Sequence, residues 1–187
     1  MSIKRYKILD LLLLSISMIL VEIGLTKYIL NRFVVETKFD INNLVISFSL
    51  SLFIYILSLY RWKKQYYLII PMTISMLIIM GFNMQNIVII ILGNIGVLLF
   101  SILFKKELYN NVYLYTFILY LGMILFRSIG SLFFINNFLN SIVYYFIYEL
   151  FSFFLSLLFL KFSKDFNLLV DKENELLERM EKNEANS

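Results

Sequence analysis

The chain lacks cysteine and histidine altogether, and its 187 residues include one proline, one alanine and six glycines. The absence of cysteine excludes disulfides and thiolate chemistry. The absence of histidine excludes imidazole metal ligands, serine–histidine triads and HExxH sites. So little proline and glycine is unlike collagen-like or low-complexity chains. We also find no Walker loop, no GxGxxG, no GxSxG and no acidic metal-binding cluster. The sequence therefore predicts no enzyme, no cofactor and no metal site.

Charge is also scarce: 16% of the residues are charged and 60% are hydrophobic. Soluble domains average about 25% charged and about 45–50% apolar residues. A soluble core of this size does not bury so much apolar surface, so the composition predicts a membrane protein whose main partner is the lipid bilayer. The few basic residues are spread over loops, which gives no support to nucleic-acid binding.

Six apolar segments are long enough for helical spans, since a span needs about 20 residues. They cover roughly residues 8–30, 42–60, 66–83, 86–104, 112–135 and 140–162. No segment alternates between apolar and polar residues with period two. The predicted fold is therefore all-α, a polytopic bundle of six transmembrane helices over residues 1–164.

Basic residues predict the orientation of this bundle, because cytoplasmic loops carry an excess of lysine and arginine. Ten basic residues flank one side: Lys4, Arg5, Lys7, Arg61, Lys63, Lys64, Lys105, Lys106, Lys161 and Lys164. Three lie on the other side: Lys27, Arg32 and Lys38. We therefore expect both termini in the cytoplasm. The many Ile, Phe, Asn and Lys residues and the single Ala indicate an AT-rich coding genome. Such a genome favours a bacterial source, and we therefore expect the protein in a bacterial plasma membrane.

The segment 165–187 differs from the rest in charge. It carries seven acidic and three basic residues, whereas residues 1–164 carry fourteen basic and six acidic ones. Its apolar residues recur at roughly helical spacing, which predicts a short acidic helix in the cytoplasm. This helix either continues the last span as a solvated segment or binds a protein partner.

Three ionisable residues lie within the predicted spans, where charge is costly and usually faces the bundle interior. They are Glu22, Arg127 and Glu149. Counting from the outer helix ends at 1.5 Å per residue, each lies on the order of 12–14 Å below the outer boundary. Polar residues of the other spans, namely Ser49, Ser75 and Asn94, fall at a similar depth. The sequence thus predicts one buried polar layer.

Two interpretations of this layer remain open. In the first, Arg127 and Glu149 on adjacent helices form a structural ion pair that sets the register of the bundle. In the second, Glu22, Asn94, Arg127 and Glu149 line a ligand pocket, with Arg127 binding an anionic group or the glutamates a cationic one.

The outline resembles two families of membrane proteins. The stretch 91–100, with Gly93, Asn94 and Gly96, followed by Lys105 and Lys106, is similar to the fourth span of the substrate-binding (S) components of energy-coupling-factor vitamin transporters. The small six-span shape is also similar to the rod-shape protein MreD. The first resemblance implies a small-molecule-binding subunit of a transporter energised by a separate protein, and this is the function we expect. The second implies the alternative, a membrane scaffold that binds proteins through its cytoplasmic loops and tail. A third hypothesis, an intramembrane enzyme, would depend on the two glutamates for acid–base work.

Overall fold

The computed structural model describes residues 3–24, 49–62, 66–80, 82–134 and 138–162, together with Glu175, Leu176, Arg179 and Lys182. The helices are α1 (Ile3–Val21), α2 (Ser51–Trp62), α3 (Ile69–Met80), α4 (Met84–Leu103), α5 (Glu107–Asn110), α6 (Val112–Ser131) and α7 (Phe138–Phe162). A π-helical turn over residues 22–24 continues α1, and a 3₁₀ turn, Tyr66–Leu68, leads into α3. No strand occurs in these segments.

Three helices are long and apolar enough to cross a membrane: Met84–Leu103, Val112–Ser131 and Phe138–Lys161. They match the last three predicted spans. The helical segments Ser51–Tyr60 and Tyr66–Ile78 are apolar but shorter. The first predicted span, 8–30, begins earlier than expected, at Ile3, and its second half lies outside the described residues. Residues 42–48 of the second predicted span and most of the predicted tail helix also lie outside the described residues. Ser49 and Leu50, which the prediction includes in the second span, precede the helix, which begins at Ser51.

Asparagine residues determine where two of the long helices begin. The side chain of Asn83 accepts a hydrogen bond from the backbone N–H of Asn86 at the start of α4. Asn111 accepts from the N–H groups of Tyr113 and Leu114, both at 3.1 Å, at the start of α6. Such caps satisfy amide donors that have no partner within the helix.

Helices α4 and α6 form the centre of the described structure, with α3 packed on α4 and α7 on α6. Glycines allow this close approach. A Cβ atom at Gly96 would lie 2.5 Å from the carbonyl oxygen of Gly122, and one at Gly122 would lie 2.8 Å from the ring of Phe100. Backbones of membrane helices come this close when the facing residues are small.

The outer surface of the helices is apolar. On α1, Ile8, Leu12, Ile16 and Leu20 recur every four residues and are each more than half exposed. A water-soluble helix would place polar residues on such a face, so the stripe is suited to contact with lipid.

Trp62 packs against the N-terminal half of α1. Its indole Nε1 donates a hydrogen bond to Asp10 Oδ2. The ammonium of Lys7 lies 5.6 Å from the centre of the Trp62 ring, and the ring of Tyr6 meets it edge-on at 5.9 Å. The cation–π and hydrogen-bond contacts join α1 to α2 at the end predicted to face the cytoplasm.

Candidate functional site

Arg127 on α6 and Glu149 on α7 form a buried ion pair. Arg127 Nη1 contacts Glu149 Oε1, and the two side chains are only 1% and 2% exposed. The structure therefore brings together the two residues that the sequence places on adjacent helices with a short connection. Neither charge reaches the surface, so their neutralisation depends on this contact and on the surrounding polar groups.

The stem of Arg127 crosses α4 at Gly93. A Cβ atom at position 93 would lie 2.5 Å from Arg127 Cγ and 2.9 Å from Nε, distances at which the stem would have to move. Glycine at this position thus provides the space that the arginine fills. From the sequence, Gly93 is notable only as a small packing residue, and its spacing does not reveal which side chain lies against it.

The remaining donors of Arg127 are less well satisfied than Nη1. Its Nη2 donates to the thioether sulfur of Met76 on α3 at 3.1 Å. Nε has no hydrogen-bond partner within the described part of the chain. A thioether is a weak acceptor, so the guanidinium makes one strong and one weak polar contact. Met76 was not expected here, because a methionine in an apolar span usually serves as core packing.

Glu22 belongs to a second polar group, at the end of α1. The side chain is fully buried, and Oε1 accepts hydrogen bonds from the hydroxyl of Ser49 at 2.5 Å and from the backbone N–H of Ser51 at 2.8 Å. Ser51 is the first residue of α2. The carboxylate therefore caps α2 at the helix end where a negative charge is favourable.

Helix α7 connects the two groups. Its Ser152 lies three residues after Glu149, on the same face of the helix, and accepts a hydrogen bond from the backbone N–H of Ser49 at 2.9 Å. Glu149 thus pairs with Arg127 while Ser152 contacts the group around Glu22. The predicted Ser75 is buried too, but its hydroxyl donates to the carbonyl of Met72 within its own helix, at 2.9 Å.

Asn94 lies apart from the ion pair. Its Nδ2 donates to the hydroxyl oxygen of Thr73 on α3 at 2.9 Å, and no hydrogen bond joins it to Arg127 or Glu149 within the segments the structure covers. Asn94 lines a groove of about 180 Å³ between α3 and α4, together with Ile69, Thr73, Ile91, Ile95 and Leu98. The position of Asn94 along its helix can be predicted from the sequence, whereas the direction in which its side chain points cannot.

Two further findings concern possible metal binding and similarity to known proteins. Among the described residues, no three or more acidic, histidine or cysteine side chains come together as a possible metal site. No family model, curated protein or solved structure matches the chain. The resemblances to transporter S components and to MreD therefore stay predictions.

Proposed function

We propose that the chain is a multi-pass protein of a bacterial plasma membrane, with six spans and both ends in the cytoplasm. Three long apolar helices and the exposed apolar stripe of α1 support membrane insertion. The excess of ten basic residues over three supports the orientation. The second and third predicted spans, 42–60 and 66–83, include α2 and α3.

Within this topology, we propose that the buried charges hold the helices together and that the protein is a non-transporting membrane scaffold or assembly factor. The observation that carries this proposal is the closed contact between Arg127 and Glu149, with the arginine stem filling the space over Gly93. A ligand pocket needs open volume beside its charged groups. Here the charged groups face each other, both side chains are buried, and the stem occupies the space over Gly93.

A small-molecule-binding subunit of a transporter, energised by a separate protein, is the second candidate function. One observation favours it: among the described residues, Arg127 Nε has no hydrogen-bond partner and Nη2 donates to a thioether. A carboxylate or phosphate would satisfy these donors better than sulfur does. In this alternative Glu22, Asn94, Arg127 and Glu149 would contact the ligand after the helices separate, and Asn94 would give up its hydrogen bond to Thr73.

Purification in mild detergent, followed by native mass spectrometry, tests the choice between these functions. A scaffold is expected to retain a protein partner and to carry no small molecule in stoichiometric amount. As a matched control, Lys106→Ala changes a basic residue outside the bundle interior. Repeated recovery of one small molecule that Arg127→Lys loses and Lys106→Ala keeps would overturn the scaffold proposal.

A further inference from the structure

The groove between α3 and α4 opens sideways on the outer surface of the helices. Ile91 and Ile95 on its α4 wall are 42% and 41% exposed, so the groove is reached from the side rather than from a helix end. In a membrane, this side faces the hydrocarbon region. None of the six lining residues is charged, which makes the groove unsuitable for an ion.

Asn94 supplies an unused acceptor at this groove. The hydroxyl of Thr73 donates to the carbonyl oxygen of Ile69 at 2.7 Å and accepts from Asn94 Nδ2 at 2.9 Å. In this arrangement Oδ1 is buried, the residue being 2% exposed, and it has no hydrogen-bond partner in the part of the chain that the structure describes.

An unpaired amide oxygen in apolar surroundings is costly, because it has lost its water without gaining a donor. Native proteins rarely leave such atoms without a purpose or an ordered partner. A molecule that enters the groove and brings one O–H group would therefore gain apolar contact, and a hydrogen bond to Asn94 Oδ1 once a small movement of the groove wall exposes this atom.

We propose that this groove binds a small neutral molecule with an apolar body and a single hydroxyl group, which donates to Asn94 Oδ1. The size follows from the volume, since a cavity of roughly 150 Å³ accommodates benzene. The groove of about 180 Å³ is suited to a phenol-sized molecule. This inference concerns α3 and α4 and does not depend on whether the ion pair is structural or binds a ligand.

Two photoreactive probes of equal size test the proposal: 4-azidophenol and 4-azidotoluene, which differ only in a hydroxyl or methyl group. Protein in lipid nanodiscs is irradiated with each probe, and labelled peptides are located by mass spectrometry. We expect 4-azidophenol to label the α3 and α4 peptides. This labelling should fall about tenfold in Asn94→Leu, which removes the acceptor and keeps the branched shape of the side chain. Ser75→Ala, which removes a buried hydroxyl of α3 outside the groove, should leave it unchanged.

Equal labelling of the groove by both probes, or labelling that Asn94→Leu does not reduce, would overturn the proposal and show a groove that takes apolar molecules in general. Labelling spread over all lipid-facing helices would overturn it as well. If Asn94→Leu fails to fold, the ratio of the two probes on the unsubstituted protein decides, since a hydroxyl-specific site favours 4-azidophenol on α3 and α4.

Discussion

At the scale of single residues, the environment of Arg127 explains why several unremarkable residues matter. A buried guanidinium needs a counter-charge, space for its stem and acceptors for its N–H groups. Glu149 supplies the counter-charge, Gly93 leaves space for the stem, and Met76 Sδ is a weak acceptor for one N–H group. The charged pair could be predicted from the sequence, because two opposite charges in neighbouring apolar spans have few other partners. Gly93 and Met76 could not, because glycine and methionine occur throughout such spans for packing alone.

Substituting Gly93 tests the space for Arg127. We expect Gly93→Ala to lower the free energy of unfolding by about 1–3 kcal/mol, because the added methyl overlaps the arginine stem. Gly24→Ala is the matched control, since a Cβ there meets nothing within 4 Å, and it should change stability by less than about 0.5 kcal/mol. Unfolding in mixed detergent micelles, followed by fluorescence of the single tryptophan, measures both. Equal stability of the two variants would contradict this account of Gly93.

At the scale of helices, the beginnings and ends depend on polar side chains that are few and specific. Helices α4, α6 and α7 differ from the predicted spans by at most four residues at either end. Long apolar runs bounded by asparagine and lysine make such helices predictable. The start of α2 at Ser51 was not predicted, because the apolar run begins near residue 42 and nothing local marks a helix start within it. Glu22, distant in sequence, provides the cap.

Removing this cap should destabilise the start of α2. We expect Glu22→Leu to lower the free energy of unfolding by about 1–2 kcal/mol, as the loss of a helix cap does elsewhere. Amide hydrogen exchange should accelerate over residues 51–54. Glu22→Gln keeps an acceptor oxygen and loses only the charge, so we expect it to fall between Glu22→Leu and the unsubstituted protein. Unchanged exchange at residues 51–54 in Glu22→Leu would show that the cap does not hold this helix end.

At the scale of the whole molecule, the composition predicts that the helices lie in a lipid bilayer. The distribution of basic residues predicts which helix ends face the cytoplasm. An apolar surface on long helices is what a bilayer requires. The arrangement of α3, α4, α6 and α7 around one another was not predictable from hydropathy, which reports depth along each helix and not its rotation. Asn94 illustrates the difference, since the sequence predicts it in the buried polar layer, whereas the structure places it in the α3–α4 groove with its amide against Thr73.

The absence of cysteine makes the six-span topology directly testable, because any introduced cysteine is the only one in the chain. We expect Met84→Cys and Leu139→Cys, at exposed positions on the predicted outer side, to react with a membrane-impermeant maleimide on intact bacterial cells. Asn110→Cys, on the predicted cytoplasmic side, should react only after permeabilisation. Labelling of Asn110→Cys on intact cells would contradict the proposed orientation.

The central claim is that the contact between Arg127 and Glu149 stabilises the helix bundle, and a double-mutant cycle on unfolding free energies tests it most directly. Arg127→Leu and Glu149→Leu alone should each cost about 3–5 kcal/mol, because each leaves an uncompensated buried charge. The double variant, which removes both charges, should be considerably more stable than either single variant. Single variants as stable as the unsubstituted protein, or a double variant that loses the sum of both effects, would contradict the claim.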